Sequence, residues 1–580
     1  MSSSSSSDVY LLDYGAGNVR SLVNAVHQLG YTLKTIEAPE DILKAQKILF
    51  PGVGAFGHAM SSLKSKGYVE PLKEYLRSGR PFMGICVGMQ ALFEGSDETP
   101  DVPGLGVLPG TVRQFRNDTK TVPHMGWNLA QLTLAQTVGI EDERQPVYFV
   151  HSYAVPYTPR QRPWAMTVTQ YGDEQFVSSV QRGAIFGTQF HPEKSGAAGL
   201  AMIKAFLAAP LPTALKNPFD LELEQTYWSK VTIPRDMPLL PQDGFTTRII
   251  ACLDVRSNDN GDLVVTKGDQ YDVRERADEA GAGEVRNLGK PVELAERYYH
   301  DGADEISFLN ITSFRNVPMH DLPMLEVLKQ ASRSIFVPLT VGGGIRNVTD
   351  PDGRKFSALE VAGEYFRSGA DKVSIGSDAV YAAEAYWANV AAGQPEKTGQ
   401  TAIERIAQAY GAQAVVVSVD PRRIYVADPD DRAAYNDHHL ITTRFPGPQG
   451  ETHCWYQCTV KGGREGRDLD VIQLVVACQN LGAGEILLNC MDRDGTNSGY
   501  DLELIRAVKA AVSIPVIASS GAGTPEHFAE VIRETGVEAT LAAGIFHRQE
   551  VPIPVVKHYL TERKFPIRET SAPVVGGSTF

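Results

Sequence analysis

The sequence predicts an α/β chain in two parts: a parallel sheet covered on both faces, then a (β/α)8 barrel. Three observations predict it. Strand-like apolar runs alternate with helical patterns up to about residue 208; proline crowds the next stretch; and eight further apolar runs, each trailed by a helical pattern, fill the remainder.

In the first part, 9–13 (VYLLD), 47–50 (KILF) and 81–85 (PFMGI) read as strands, separated by helical patterns such as 18–29 and 69–78. Alternation of this length implies parallel pairing. Runs 147–153 and 184–190 look like further strands, so one domain is expected over 8–208, after a serine-rich tail at 1–7. Pro210, Pro212, Pro218, Pro234, Pro238 and Pro241 then block any long helix or central strand, and 209–245 reads as a connector with room for a short helix at 220–230.

The barrel is expected over 246–570, with strands at 249–255, 305–309, 336–341, 372–375, 414–419, 486–489, 515–518 and 539–542. Eight βα units in about 320 residues fit a TIM barrel with insertions. The tract 428–463, rich in Asp, His, Gly and Pro, reads as an inserted loop, and 571–580 as a tail. The barrel also repeats itself. IIACLDV ends near Asp254 as VVVSVD ends at Asp420, and VGGGI (341–345) resembles SSGAG (519–523), which points to two fused half-barrels.

Composition narrows the function. The 580 residues are 43% hydrophobic and 21% charged, as in ordinary globular chains, which excludes a disordered scaffold. A net charge of −14 argues against a general nucleic-acid or anionic-membrane binder, while leaving room for local phosphate pockets. Six cysteines make no disulfide framework, and the close pair Cys454 and Cys458 lacks a second ligand pair, so no metal site is expected. Without a secretory leader or an apolar run of about 18 residues, the expectation is a soluble, cytoplasmic protein.

Residues 81–90, PFMGICVGMQ, combine a strand, a turn flanked by Gly84 and Gly88, and a following helix. This is a nucleophile-elbow pattern with Cys86 in place of serine, where the helix N-terminus favours a thiolate. A base must come from elsewhere. In GTQFHPEK (187–194), proline holds His191 and Glu193 in a fixed relation, giving a nucleophile, base and orienting carboxylate.

In the barrel, chemistry belongs at the C-terminal ends of strands. Asp254 ends the first and Asp494 follows the sixth, in DRDGTNSG (492–499). Two opposed carboxylates, one protonated and one ionised, suit general acid–base work. Glycine-rich turns at 342–344 and 521–523, with Gly376-Ser377 and Ala543-Gly544, form two symmetric phosphate cradles for a substrate phosphorylated at both ends.

These motifs carry two resemblances. Residues 8–208 resemble the class I glutamine amidotransferases, which have a flavodoxin-like sheet and a Cys-His-Glu triad. The resemblance implies that Cys86 attacks the glutamine carboxamide, with His191 and Glu193 completing the triad. It also implies an oxyanion strand at PGVG (51–54), with Gly52, Gly54 and Val87 at the site and Gln90, Ser152 and Tyr153 contacting glutamine.

Residues 246–565 resemble the cyclase component of the imidazole glycerol phosphate synthases. The motifs are RIIACLDVR (248–256), FLNITS (308–313), VGGGIR (341–346), DKVSIGSDAV (371–380) and LLNCMDRDGTNSGYD (487–501). Fusion of the two is the arrangement of fungal and plant forms. The resemblance implies Asp254 and Asp494 as the acid–base pair, Lys267 on a substrate loop and Asp420 as a supporting carboxylate. It places Gly344, Ser377, Gly521 and Gly544 at the phosphates. Asn310 stands where bacterial members have Asp, so only hydrogen bonding to substrate is carried over to it.

The family passes ammonia through the barrel core. Arg248, Glu305, Lys372 and Glu485 match its gate ring, for which a purely structural ion-pair cluster is the alternative reading. Tyr148 and Lys194 match interface positions, with Lys194 expected to pair with Asp371.

The expected activity is therefore bifunctional, in histidine biosynthesis. Glutamine and a bisphosphorylated aminoimidazole-carboxamide ribonucleotide are the substrates, with no cofactor, on a self-contained monomer. Two alternatives are a glutaminase feeding another phosphate-binding barrel lyase, which calls for a Schiff-base lysine, and a non-catalytic glutamine sensor. The intact triad and the paired aspartates weigh against both.

Overall fold

The computed structural model describes residues 8–15, 17–133, 145–212, 217–218, 239, 243–257, 263–265, 290–310, 322–349, 353–436 and 438–569. The chain divides into two compact units whose main boundary falls between Phe245 and Thr246. Most of the proline-rich connector, both expected tails and the substrate loop with Lys267 lie outside the described residues. No described helix is long and apolar enough to cross a membrane.

The N-terminal unit is built on an eight-stranded sheet. Its parallel half runs Lys34–Thr35, Val9–Leu11, Lys47–Gly52, Phe82–Cys86 and Ile185–Thr188. The sheet then continues antiparallel through Glu174–Arg182, Ala165–Tyr171 and Gln131–Leu132, an extension the apolar pattern does not announce. Central positions such as Ile48, Leu49, Phe50, Phe82, Met83 and Ile85 are fully buried, as a strand covered on both faces requires. Helix Val19–Gln28 starts at Asn18, whose side chain accepts from the Ser21 N–H at 3.1 Å, and buries Leu22, Ala25 and Val26 at helical spacing. The end of helix Gly196–Ala208 is held by Lys47, whose ammonium donates to the carbonyls of Phe206, Leu207 and Ala209.

The second unit is a closed barrel. Its strands, in order, are Arg248–Ser257, Glu305–Asn310, Leu339–Gly342, Lys372–Ile375, Val415–Val419, Glu485–Asn489, Val516–Ser519 and Ala539–Ala542. Each pairs in parallel with the next, and the first also pairs with the last, through Arg248↔Ala539 to Ala251↔Ala542. The third strand begins at Leu339 rather than 336, since Pro338 has no N–H to give to a ladder. Helices cover the outside. Ala358–Ser368, for example, opens on a Ser357/Glu360 capping box and stops at Gly369 with φ 119°.

Tract 428–463 is not the plain inserted loop expected. It contributes Ile441–Thr442 and the whole of His453–Val460 to a small antiparallel sheet with Pro421–Val426 and Glu465–Asp470. Its polar composition hid the apolar side of this sheet, on which Cys454, Tyr456 and Cys458 are fully buried. All six cysteines of the chain are free and buried.

Inside the barrel, the side-chain period of two sorts the residues into layers. Ile250, Cys252, Val416, Leu487, Ile517 and Leu541 pack as one apolar cluster. Beneath it, at strand starts, Arg248, Glu305, Lys372 and Glu485 form a buried ring. Arg248 pairs with Glu305 at 2.7 Å and with Glu485, while Lys372 reaches Glu305 at 2.7 Å and Glu485 at 2.6 Å. The Thr340 hydroxyl donates to Glu305 at 2.6 Å. Burial opposes the charge on Glu305, but Lys372 and Arg248 outweigh it and hold its carboxyl below the usual range. Two cations balance two anions, so removing one leaves an uncompensated buried charge. Arg248→Met is expected to destabilise the barrel by about 3–5 kcal/mol, and adding Glu485→Gln to recover much of that loss, both read from urea unfolding.

Candidate active sites

Cys86 sits where strand Phe82–Cys86 turns into helix Val87–Gln90, at φ 52° and ψ −108°. A non-glycine residue is strained in that region, and the surrounding packing has to hold it there. The packing is close. A Cβ added at Gly88 would lie 2.0 Å from the Phe50 carbonyl oxygen, and one at Gly84 would lie 2.5 Å from that of Gly88. Only glycine lets the helix start this near the sheet.

Gly52 pairs directly with Cys86 across the two strands, which brings PGVG beside the thiol. Gly54 has φ 117°, and the Tyr14 hydroxyl donates to the Val53 carbonyl at 2.7 Å, fixing the orientation of that peptide. The Val87 N–H opens the helix behind Cys86.

His191 ends the run after Ile185–Thr188, and the 3-10 turn Pro192–Lys194 brings Glu193 back toward it. Glu193 Oε1 takes His191 Nδ1 at 2.8 Å, and both side chains are buried. Burial disfavours the imidazolium, but the charges of Glu193 and Cys86 outweigh it and raise the ring's pKa well above normal. With Nδ1 committed, Nε2 is the nitrogen available for chemistry. The Ser195 hydroxyl braces this turn, donating to the His191 carbonyl at 2.6 Å and accepting the Tyr148 N–H at 3.0 Å.

Gln90 donates to the Tyr153 carbonyl and to Gln189 Oε1, both at 3.0 Å. Gln189 in turn points its amide N–H at Cys86 Sγ, 3.4 Å away. Gln189 and Tyr14 are site residues that the sequence reading passed over. Gln189 stood inside the quoted GTQFHPEK motif, but Tyr14 had no comparable signal. Ser152 is placed by its carbonyl, which accepts the Phe115 N–H at 3.0 Å. Tyr148 lies on strand Val147–His151 and Lys194 closes the 3-10 turn, while Asp371 caps strand Leu339–Gly342 through the Leu339 N–H at 2.8 Å.

In the barrel, a cavity of about 340 Å³ opens at the C-terminal end, lined by Asp254, Asp494, Ser519, Gly521, Gly544 and Arg548, among others. Desolvation, then the charge of Asp494, pushes Asp254 up to about 7. The glycine turn after the seventh strand nests against the Asp494 loop. Gly521 has φ 103°, and a Cβ there would meet the Gly499 carbonyl oxygen at 2.2 Å.

Asn310, Gly344, Ser377 and Asp420 stand outside this cavity, at the ends of strands two to five. Burial raises Asp420, and Asn489 donates to it at 2.9 Å. The Ser377 hydroxyl accepts the Lys461 N–H at 2.9 Å. The two expected cradles thus sit on opposite halves of the mouth, and the cavity covers one of them.

Because desolvation leads and Asp494 adds to it, Asp494→Asn is expected to lower the Asp254 pKa below about 7 while leaving it above the ordinary value of 3.8. Carboxyl-carbon NMR of the aspartates across pH 4–9 measures this, and an unmoved titration would show that the two groups are not coupled.

Comparison with known proteins identifies the family of each half. Residues 10–209 match the family described as glutamine amidotransferase class-I, and residues 248–552 that described as histidine biosynthesis protein. The imidazole glycerol phosphate synthase hisHF of Emericella nidulans is 54% identical over 568 residues, covering 97% of this chain and 98% of the relative. That of Schizosaccharomyces pombe is 56% identical over 557 residues, 95% and 98% of the two chains. The chloroplastic hisHF of Arabidopsis thaliana is 52% identical over 568 residues, 98% and 90%. A glutamine amidotransferase part and a histidine-biosynthesis part thus occur on one polypeptide matched over nearly its whole length by these relatives, and the chain belongs to the imidazole glycerol phosphate synthase hisHF family.

Proposed function

We propose that the enzyme hydrolyses glutamine at Cys86 and uses the ammonia in the barrel to make imidazole glycerol phosphate and an aminoimidazole carboxamide ribotide from a bisphosphorylated precursor. The observation that carries the first half is the strained Cys86 elbow facing an imidazole whose Nδ1 is already held by Glu193. Cys86 Sγ attacks the carboxamide carbon. Backbone N–H groups of the PGVG strand and Val87 take the oxyanion, and His191 protonates the departing ammonia at Nε2. Water activated by the same nitrogen then cleaves the glutamyl thioester. Glu193 keeps the imidazolium oriented throughout, and Gln90, Ser152 and Tyr153 hold the amino acid.

In the barrel, Asp254 and Asp494 are the acid–base pair. A carboxyl held at about 7 keeps its proton through much of the neutral range, which suits Asp254 to the acid role and leaves Asp494 as base. Backbone at Gly521 and Gly544 takes one phosphate and backbone at Gly344 and Ser377 the other, with Asn310 and Asp420 contacting the middle of the substrate and Lys267 also binding it. We read the Arg248, Glu305, Lys372 and Glu485 ring as the entrance for ammonia, with Tyr148, Lys194 and Asp371 serving the coupling of the two activities. Supporting this, the barrel interior above the ring carries small polar groups at Ser307 and Ser374, both buried. A monomeric, cytoplasmic enzyme completes the proposal.

Cys86→Ala separates the two halves. It is expected to abolish glutamine-driven turnover yet still cyclise with added ammonium, followed by product chromatography; loss of both, in a folded protein, would count against two independent sites. Asp494→Asn is expected to lose cyclisation with either nitrogen source, by about 10²-fold or more, while glutamine hydrolysis persists.

A further inference from the structure

We infer that Phe445, carried by tract 428–463, is a positioning residue for Asp494 and acts through Arg493. The inference rests on the acid–base reading of Asp494 proposed above.

Asp494 lies in an irregular loop between the sixth strand and helix Leu502–Ala511. No strand ladder holds it; the 3-10 turn Met491–Arg493 ends on it, with the Asp494 N–H donating to the Met491 carbonyl at 3.2 Å, and side chains brace the rest of the loop. Arg493, its immediate neighbour, staples the loop across its width. Nε donates to the Gly499 carbonyl at 2.9 Å, and the guanidinium also donates to that of Ser498. The Thr496 hydroxyl closes the turn by donating to the Arg493 carbonyl at 2.8 Å. Moving Arg493 therefore moves the backbone on both sides of Asp494.

Phe445 covers this staple. The Arg493 guanidinium lies 4.4 Å from the centre of the Phe445 ring, and that of Arg423 lies 4.6 Å from it. A guanidinium within about 6 Å of an aromatic ring is attracted by its quadrupole, and the ring shields the Arg493 hydrogen bonds from competing water. Phe445 is itself fixed: its carbonyl accepts the Tyr425 hydroxyl at 3.1 Å, and its N–H donates to Thr443 Oγ1 at 3.1 Å.

Arg423 ties the same brace to the far end of the loop. It pairs with Asp501, which also accepts the Tyr456 hydroxyl at 2.7 Å and caps helix Leu502–Ala511 through the Leu504 N–H. The Arg423 N–H donates to Asp492 at 2.8 Å. One aromatic ring thus bridges two arginines that fix the loop before and after Asp494. The ring's faces, rather than its bulk alone, are what both guanidinium groups use.

The test is ammonium-driven cyclisation by the full chain carrying Phe445→Leu, Phe445→Ala, Phe445→Tyr or Phe445→Trp, beside Asp494→Asn. Leu and Ala are expected to lower kcat about tenfold with KM for the bisphosphate little changed, since the loss is one of geometry. Tyr and Trp, which keep a π face, are expected to restore kcat to within about threefold of the parent. Urea unfolding of each variant reports folding separately. Full activity in Phe445→Leu, or a change confined to KM, would overturn the inference. Retained cyclisation in Asp494→Asn would instead sink the acid–base reading on which it rests, and the two failures are distinct.

Discussion

The period-two alternation of a closed barrel is the constraint on which the second unit depends. Along strand Arg248–Ser257 the inward positions are Arg248, Ile250, Cys252 and Asp254, so one strand face carries an ion-ring member at its start and a cavity-lining carboxyl at its end. Six residues of extended chain separate them by roughly 20 Å. Between lies an apolar layer that seals the ring from the mouth and backs Asp254 on its inner side. Desolvation thus makes the ring costly to break and, with the charge of Asp494, lifts Asp254 into the neutral range. A one-residue slip of this strand would turn both groups outward together.

The N-terminal unit meets a different constraint, the close approach of helix to sheet at the elbow. Gly84 and Gly88 permit it, and Gly52 stands opposite Cys86. Once the backbone is set at φ 52°, few groups are needed to complete the site. A two-residue reach from His191 to Glu193 across Pro192 brings a carboxylate to the imidazole, and strand pairing brings Gly52 beside Cys86. The chain of amides from Gln90 through Gln189 to the sulfur then fixes which end of Gln189 faces Cys86, because Gln90 already occupies its oxygen.

Much of this was legible in the sequence, for reasons particular residues make plain. The eight barrel strands are apolar runs, several of them closed by glycine or an acidic residue as at Gly342, Gly376 and Asp420, and their positions hold to within a few residues. Cys86, His191, Glu193, Asp254 and Asp494 sit in short motifs whose geometry is local, and each is found where its motif implied. The antiparallel strands Ala165–Tyr171 and Glu174–Arg182 were not legible. Their buried residues include Thr167, Ser178 and Ser179, which look solvated in sequence but are fully buried, with the Thr167 hydroxyl bonded to both serines. Tract 428–463 misled for another reason: most of its polar residues do face water, and the few apolar ones that build the small sheet, such as Ile441, Cys454, Tyr456 and Cys458, are scattered among them. The roles of Gln189 and Phe445 depend on neighbours far away along the chain, which periodicity does not register.

The distribution of cysteines has a practical consequence for chemical labelling. Cys252, Cys454, Cys458, Cys478 and Cys490 are all buried, and desolvation raises each thiol, Cys454 to about 12. A thiol that far above neutrality presents almost no thiolate to an electrophile. Cys86 alone stands at the start of an α-helix beside an imidazole, at the place proposed above for glutamine. A glutamine-like alkylating agent thus has one target among six sulfurs. Its stoichiometry in the folded protein would count working glutaminase centres directly, molecule by molecule, without any assay of turnover.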